Sequence, residues 1–160
     1  MATPTNLPAA FIAGQVLTSS QTNDLRGAFR VLQVFYAVTG VQVTSASTTF
    51  VDVGLSITIT PQSATSKILI FNAQSCYASG GIADSDIRFL RGAGQVYISR
   101  TSVLATTTGG SFSNFYLDSP ATTSPITYKV QGNRAFGTGS AVFQIANLAA
   151  SSLLVAEISA

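Results

Sequence analysis

Between Phe50 and Phe71 the hydrophobic pattern changes once, and the two halves predict different strands. Val51, Val53, Leu55, Ile57 and Ile59 alternate with Asp52, Gly54, Ser56, Thr58 and Thr60. A period of two puts alternate side chains on opposite faces, so this half predicts a half-buried strand over 50–60. Pro61 cannot donate to a sheet ladder, and the polar run to Ser66 supplies a turn. Ile68-Leu69-Ile70-Phe71 then has no polar face, which suits a strand over 67–77 covered on both sides. In so small a chain one cover is the domain core, and a second subunit is a candidate for the other.

Further strands are expected near 41–45, 86–91, 95–104, 112–118, 126–132, 141–147 and 152–159. Gly80-Gly81, Arg91-Gly92-Ala93-Gly94, Gly109-Gly110, Asp118-Ser-Pro120 and Gly137-Thr-Gly139 supply the turns between them. Short strands at regular spacing with no helical pattern among them predict an all-β head over 33–160, a jelly-roll-like β-sandwich. Leu153–Ile158 is again apolar on both faces, and is expected beside Ile68–Phe71 or at a subunit contact.

Residues 1–32 predict an anchoring arm and short helix. Pro4 and Pro8 disfavour helix at the start. Thr18 and Gln21 have the spacing of a capping box, and Leu25, Ala28, Phe29 and Leu32 make one apolar helical stripe. From Val31 to Val38 the pattern turns to strand.

Composition sharpens this picture. A chain of 160 residues suits one domain. Only 9% of its residues are charged, against about 25% in typical soluble domains. A surface so poor in charge predicts that part of the exterior is hidden in an assembly. The net charge is +2, six Arg and two Lys against six acids, and the basic residues are scattered singly, which argues against nucleic-acid binding. No apolar run approaches the roughly 18–20 residues of a membrane span. The N-terminus lacks the basic start and apolar stretch of a secretory signal, so assembly in the cytoplasm of the cell that makes it is expected. Cys76, the single cysteine, is expected to be a small buried hydrophobe.

The chemical inventory argues against an enzyme. With no His, neither a Ser-His pair nor a His-ligated metal is possible. Glu157 inside an apolar strand is either a catalytic acid or, as expected here, the partner of an Arg at a sheet end or subunit contact. Asp84-Ser-Asp86 has the spacing of a calcium loop, but a polar hairpin entrance explains it better. Gly92-Ala-Gly94 resembles part of a phosphate loop, yet no Lys-Ser/Thr follows, so a hairpin turn is expected. Tyr36, Tyr77, Tyr97, Tyr116 and Tyr128 can make a sugar-stacking platform, although one aromatic per strand more commonly fills core and interface. No catalytic, cofactor or metal residues are assigned.

Phe11-Ile-Ala-Gly-Gln-Val-Leu-Thr-Ser-Ser-Gln-Thr-Asn-Asp-Leu25 resembles an F-x-A-G-x-V-L-T-A-A-x-x-N-x-L segment of small virion proteins of tailed bacteriophages. The Phe50–Pro61 stretch with its Ser-Lys-Ile-Leu-Ile continuation, Tyr116-Leu-Asp-Ser-Pro120, Thr127-Tyr-Lys-Val130 and Val155-Ala-Glu-Ile158 look like the body of the same proteins. Ser19-Ser20 departs from the usual Ala-Ala at the helix start. The resemblance implies a homotrimeric structural protein attached by its arm. With one compact head and no long shaft, it implies a capsid decoration (cement) protein bound to the major capsid protein on the virion exterior. The alternative is a tail-fibre tip that joins tail proteins and binds a host surface glycan through 78–86, 105–111 and 133–139. On the first reading Phe11, Ile12, Val16, Leu17, Leu25 and Phe29 anchor the arm. Ile68, Ile70, Leu153, Val155 and Ile158 then form the trimer interface.

Overall fold

The computed structural model describes Val16 and residues 30–103, 109–145 and 148–159. It is all-β, with no helix among the described residues. Ten strands follow one another: β1 (Val31–Thr39), β2 (Val43–Ser45), β3 (Val51–Ile59), β4 (Lys67–Ser79) and β5 (Ala83–Arg91), then β6 (Gly94–Val103), β7 (Gly109–Asp118), β8 (Ile126–Gly137), β9 (Ser140–Phe143) and β10 (Ser151–Ile158). They form a six-stranded and a four-stranded antiparallel sheet packed face to face.

β4 is the axis of the larger sheet. Along one edge it pairs with β7 from Ile68 to Tyr77. Along the other it pairs first with β10, from Lys67 to Ala73, and then with β9, from Cys76 to Ser79. β9 and β10 thus lie end to end, and β2 and β1 pair outside them in the same order. The smaller sheet runs β3-β8-β5-β6. β10 lies beside Ile68–Phe71, as its two apolar faces suggest.

β3 follows its alternation to the residue: Val53, Leu55, Ile57 and Ile59 are buried and the residues between them are exposed. They meet Ile68, Ile70, Leu153, Val155, Ile87, Phe89, Tyr128, Val130 and Phe143 in one core between the sheets. Phe89 stacks on Tyr97, which leans on Tyr116, so three aromatics of three strands fill one end of it. The tip of the Phe143 ring lies against Gly132, where any β-carbon would overlap it.

Several expectations are corrected. Leu32 lies in β1 rather than on a helix; the rest of the capping box and stripe lies outside the described residues. Gly109-Gly110 opens β7 instead of turning the chain. Asp84 and Asp86 are strand residues of β5, and Asp86 is held by Arg100 through Nε at 2.8 Å and Nη2 at 3.1 Å. Arg91–Gly94 is the hairpin turn expected, with Gly92 at φ 59°.

Glu157 is fully buried, yet its partners are neither an Arg nor another charge. Gln33 Nε2 donates to its Oε2 at 2.5 Å, and the backbone N–H of Gln62 donates to Oε1 at 2.8 Å. Gln33 also donates to Thr60 O, so this carboxylate ties β1, β10 and the β3–β4 turn together. Burial raises its pKa, but hydrogen bonds from Ser66, Gln33, Gln62 and Ser63 outweigh that and hold it below the ordinary glutamate value. A carboxyl with a depressed folded pKa stabilises the fold above its unfolded pKa, and that stability is lost as pH falls through the folded value. Glu157→Gln should therefore cost about 1–3 kcal/mol at neutral pH and flatten the acid limb of stability below the glutamate range. Urea midpoints against pH check both effects; an unchanged acid limb contradicts this role.

Burial also pushes the Cys76 thiol up to about 12. A thiol reagent should modify Cys76 only after unfolding, and modification of the native chain as fast as that of the unfolded chain would contradict the packing. Gly132→Ala should cost about 1–3 kcal/mol, because the Phe143 ring must move. Chemical denaturation measures that cost.

Candidate interaction surface

The alternation that buries one side of β10, β4 and β7 turns the other side outward, and β1 extends that outer face along the edge of β10. In antiparallel strands, residues paired across a ladder share a face about 4.5–5.5 Å apart. Register therefore fixes rows across the four strands. One row is Tyr36-Leu154-Phe71-Phe115, the next Val34-Ala156-Leu69-Leu117, and a third Val38-Ser152-Ala73-Ser113. Phe115 is 70% exposed, Tyr36 64%, Val38 60% and Phe71 41%. Beyond the Val38 row, Gly40, Ile145, Leu148, Ala149 and Ala150 line a shallow groove of about 250 Å³ that continues the face.

The three rows carry no charged side chain. Lys67 stands at the end of the face and gives its ammonium to Ser119 Oγ at 2.8 Å. The outer face of the small sheet is the opposite in character. Arg88 lies 3.9 Å above the Phe50 ring and donates to Gln131 Oε1. Arg100 is paired with Asp86, and Lys129 stands 3.7 Å from Asp52, which accepts from Gln131. One face is built for water and the other is not.

The exposed residues of the apolar rows present on the order of 600 Å² of largely apolar surface. That is at the upper limit of the patch a typical monomer shows, about 300–600 Å². At about 25 cal/mol per Å² the gross gain from covering it is on the order of 15 kcal/mol per copy, before the costs of association.

Four of the five residues expected at a trimer contact are not on this surface. Ile68, Ile70, Leu153 and Val155 have no exposure and belong to the core. Ile158 is half-buried and on the outward parity. The sequence made both faces of β4 and β10 apolar but did not say which parity faces the second sheet. The outward set is Leu69, Phe71, Leu154 and their neighbours. Of the arm candidates, Val16 is exposed, while Phe11, Ile12, Leu17, Leu25 and Phe29 lie outside the described residues.

The five tyrosines do not form one platform. Tyr128 is buried and donates to Asp118 Oδ2 at 2.7 Å, beside Arg91. Tyr97 and Tyr116 pack on the core, and Tyr36 is in the apolar row. Burial first, and then the bond to Asp118, push the Tyr128 hydroxyl far up.

Register also orders the ends. Val31, Ile158, Lys67 and Asp118 align at one end, where Ser159 N donates to Arg30 O and Arg30 N to Ser159 Oγ, both at 2.8 Å. The turns at 80–82 and 138–139 meet at the other, where Gly139 N donates to Ile82 O at 3.0 Å. Two of the three expected glycan loops are thus packed together, and 104–108 lies outside the described residues. Residues before Val31 join the head at the end opposite these turns.

No protein-family model matches the chain, and no curated protein matches it. Among solved structures it is similar to a chain of the IBDV viral particle, with TM-score 0.43 and 15% identity over 79% of this chain and 37% of that one. It is also similar to VP2 in the subviral particle of infectious bursal disease virus, at 0.42 and 14% over 82% and 39%. A chain of the Bacillus endospore appendages, described as disulfide-linked pili, gives 0.35 and 14% over 76% and 86%. The chain thus spans less than two-fifths of the two viral chains. Likenesses this distant bear no weight on what the protein does.

A Phe71→Ser, Phe115→Ser variant should keep its unfolding midpoint within a few degrees and bind an apolar dye less than the native chain under dissociating dilution. Undiminished dye fluorescence would contradict the placement of the patch.

Proposed function

We propose that the chain is a structural component of a bacteriophage virion, a homotrimeric decoration (cement) protein on the capsid exterior. In this reading residues 1–32 bind the major capsid protein, the head trimerises, and the shell is held closed. The observation that carries it is the division of the sandwich into a charged face and an uncharged apolar one. A chain with such a face is made to be covered. The strand order supports a jelly-roll reading of the head: β1/β2, β10/β9, β4 and β7 in one sheet, and β3, β8, β5 and β6 in the other. The sequence pattern of 11–25 supports the arm, and its junction with β1 leaves one end of the head free to face a shell. Three linked arms bind far more strongly than one.

We read the chain as non-enzymatic. The buried acids among the described residues are engaged structurally: Asp86 by Arg100, Asp118 by Arg91 and Tyr128, Glu157 by Gln33 and Gln62. Assembly in the host cytoplasm fits this reading.

A second reading, a tail-fibre tip binding a host glycan, is favoured by one feature: the packed turns at 80–82 and 138–139 stand at the end opposite Val31, the start of β1. The two differ in abundance. Quantitative gels of purified particles should give hundreds of copies per virion, and particles lacking the protein should burst at lower osmotic or thermal stress. A handful of copies, with binding of the purified chain to host cells, would overturn cementing in favour of the tip.

A further inference from the structure

We infer that the apolar outer face of β1, β10, β4 and β7 is covered by the same face of further copies of this chain, and so closes the homo-oligomer. This deepens the assembly reading above and rests on it. The occupant follows from charge and area. A charged side chain set against the three rows would lose its hydration with no counter-charge to meet it, at a cost that excludes most protein surfaces. The occupant must itself be uncharged and apolar. Each copy of the chain brings one such face, and its other sheet is unsuitable because Asp52, Asp86, Arg88, Arg100 and Lys129 are on it.

The exposed rows, with half-buried Leu69 and Leu154 and the serines at their margin, approach the roughly 800 Å² that one partner gives to a stable interface. The central row supplies Tyr36, Phe71 and Phe115, the residue types that anchor such contacts. With the faces turned toward one another, the charged sheets face water on the outside, and the arm ends of all copies leave from the same end about a threefold axis along the strands.

The test uses the full chain. Sedimentation of the native protein at micromolar concentration should give an oligomer. Phe71→Lys with Phe115→Lys should weaken association at least a hundredfold while far-UV circular dichroism is kept. Ser56→Lys with Thr58→Lys, on the charged sheet, should leave the oligomer intact. Should the lysine pair fail to fold, Ser113→Cys reads the same contact: it should cross-link copies on mild oxidation, and Ser56→Cys should not. A folded Phe71→Lys, Phe115→Lys chain that remains oligomeric, or cross-linking at Ser56 alone, overturns the inference and leaves the virion role standing. An oligomer closed by this face in a protein absent from purified virions overturns the virion role and leaves the inference. A native chain that stays single, and is captured only by capsid protein, overturns the self-contact.

Discussion

β4 has to be covered four ways. Its two edges are bonded, to β7 on one side and to β10 and β9 on the other. Its inward face, Ile68 and Ile70, is sealed by the second sheet. Its outward face, Leu69, Phe71 and Ala73, is apolar too, and among the described residues no strand packs over it. The rest of the molecule follows from that imbalance. The neighbours of β4 repeat it with Leu154, Phe115, Leu117, Tyr36, Val34 and Val38, so the surplus becomes a continuous face. Hydrophobic burial is non-directional and scales with area, so a face of this size favours association whatever the partner.

The polar groups that the fold does bury are used to set geometry. Glu157 binds three separate segments at the end where residues before Val31 join the head. Asn72 Nδ2 donates to Ser152 O, and Ser151 Oγ accepts from both Gln74 Nε2 and Ser75 N, which pins β10 to β4 at the point where β9 takes over. Such contacts are worth about 1 kcal/mol each and add little to affinity between copies. They hold the rows of the outer face in one register, and a one-residue slip would turn every outward side chain inward. Stability and interaction are therefore coupled through the same strands.

Much of the fold was legible because it is written in short-range periodicity. β3 needs no more than its period of two, and Gly92 with Ala93 marks the β5–β6 hairpin. The two apolar faces of Leu153–Ile158 point either to a place beside Ile68–Phe71 or to a subunit contact, and β10 does pair with β4. What could not be read is non-local. The parity of a strand with two apolar faces is decided by where the second sheet lies, so Ile68, Ile70, Leu153 and Val155 were assigned outward when they are core. The partner of Glu157 is Gln33, 124 residues away, and nothing in either neighbourhood announces it. That β9 stops at Phe143 is likewise invisible in a run that reads as a strand from 141 to 147.

The claim at the centre is that Tyr36, Phe71 and Phe115 are solvent-facing in the single chain and dry in the working assembly. Hydroxyl-radical footprinting of the assembled protein tests it most directly, with Ile98 on the charged sheet as an internal reference. The prediction is strong protection of Tyr36, Phe71 and Phe115 beside normal labelling of Ile98. Labelling of all four in proportion to their exposure in the single chain would contradict it.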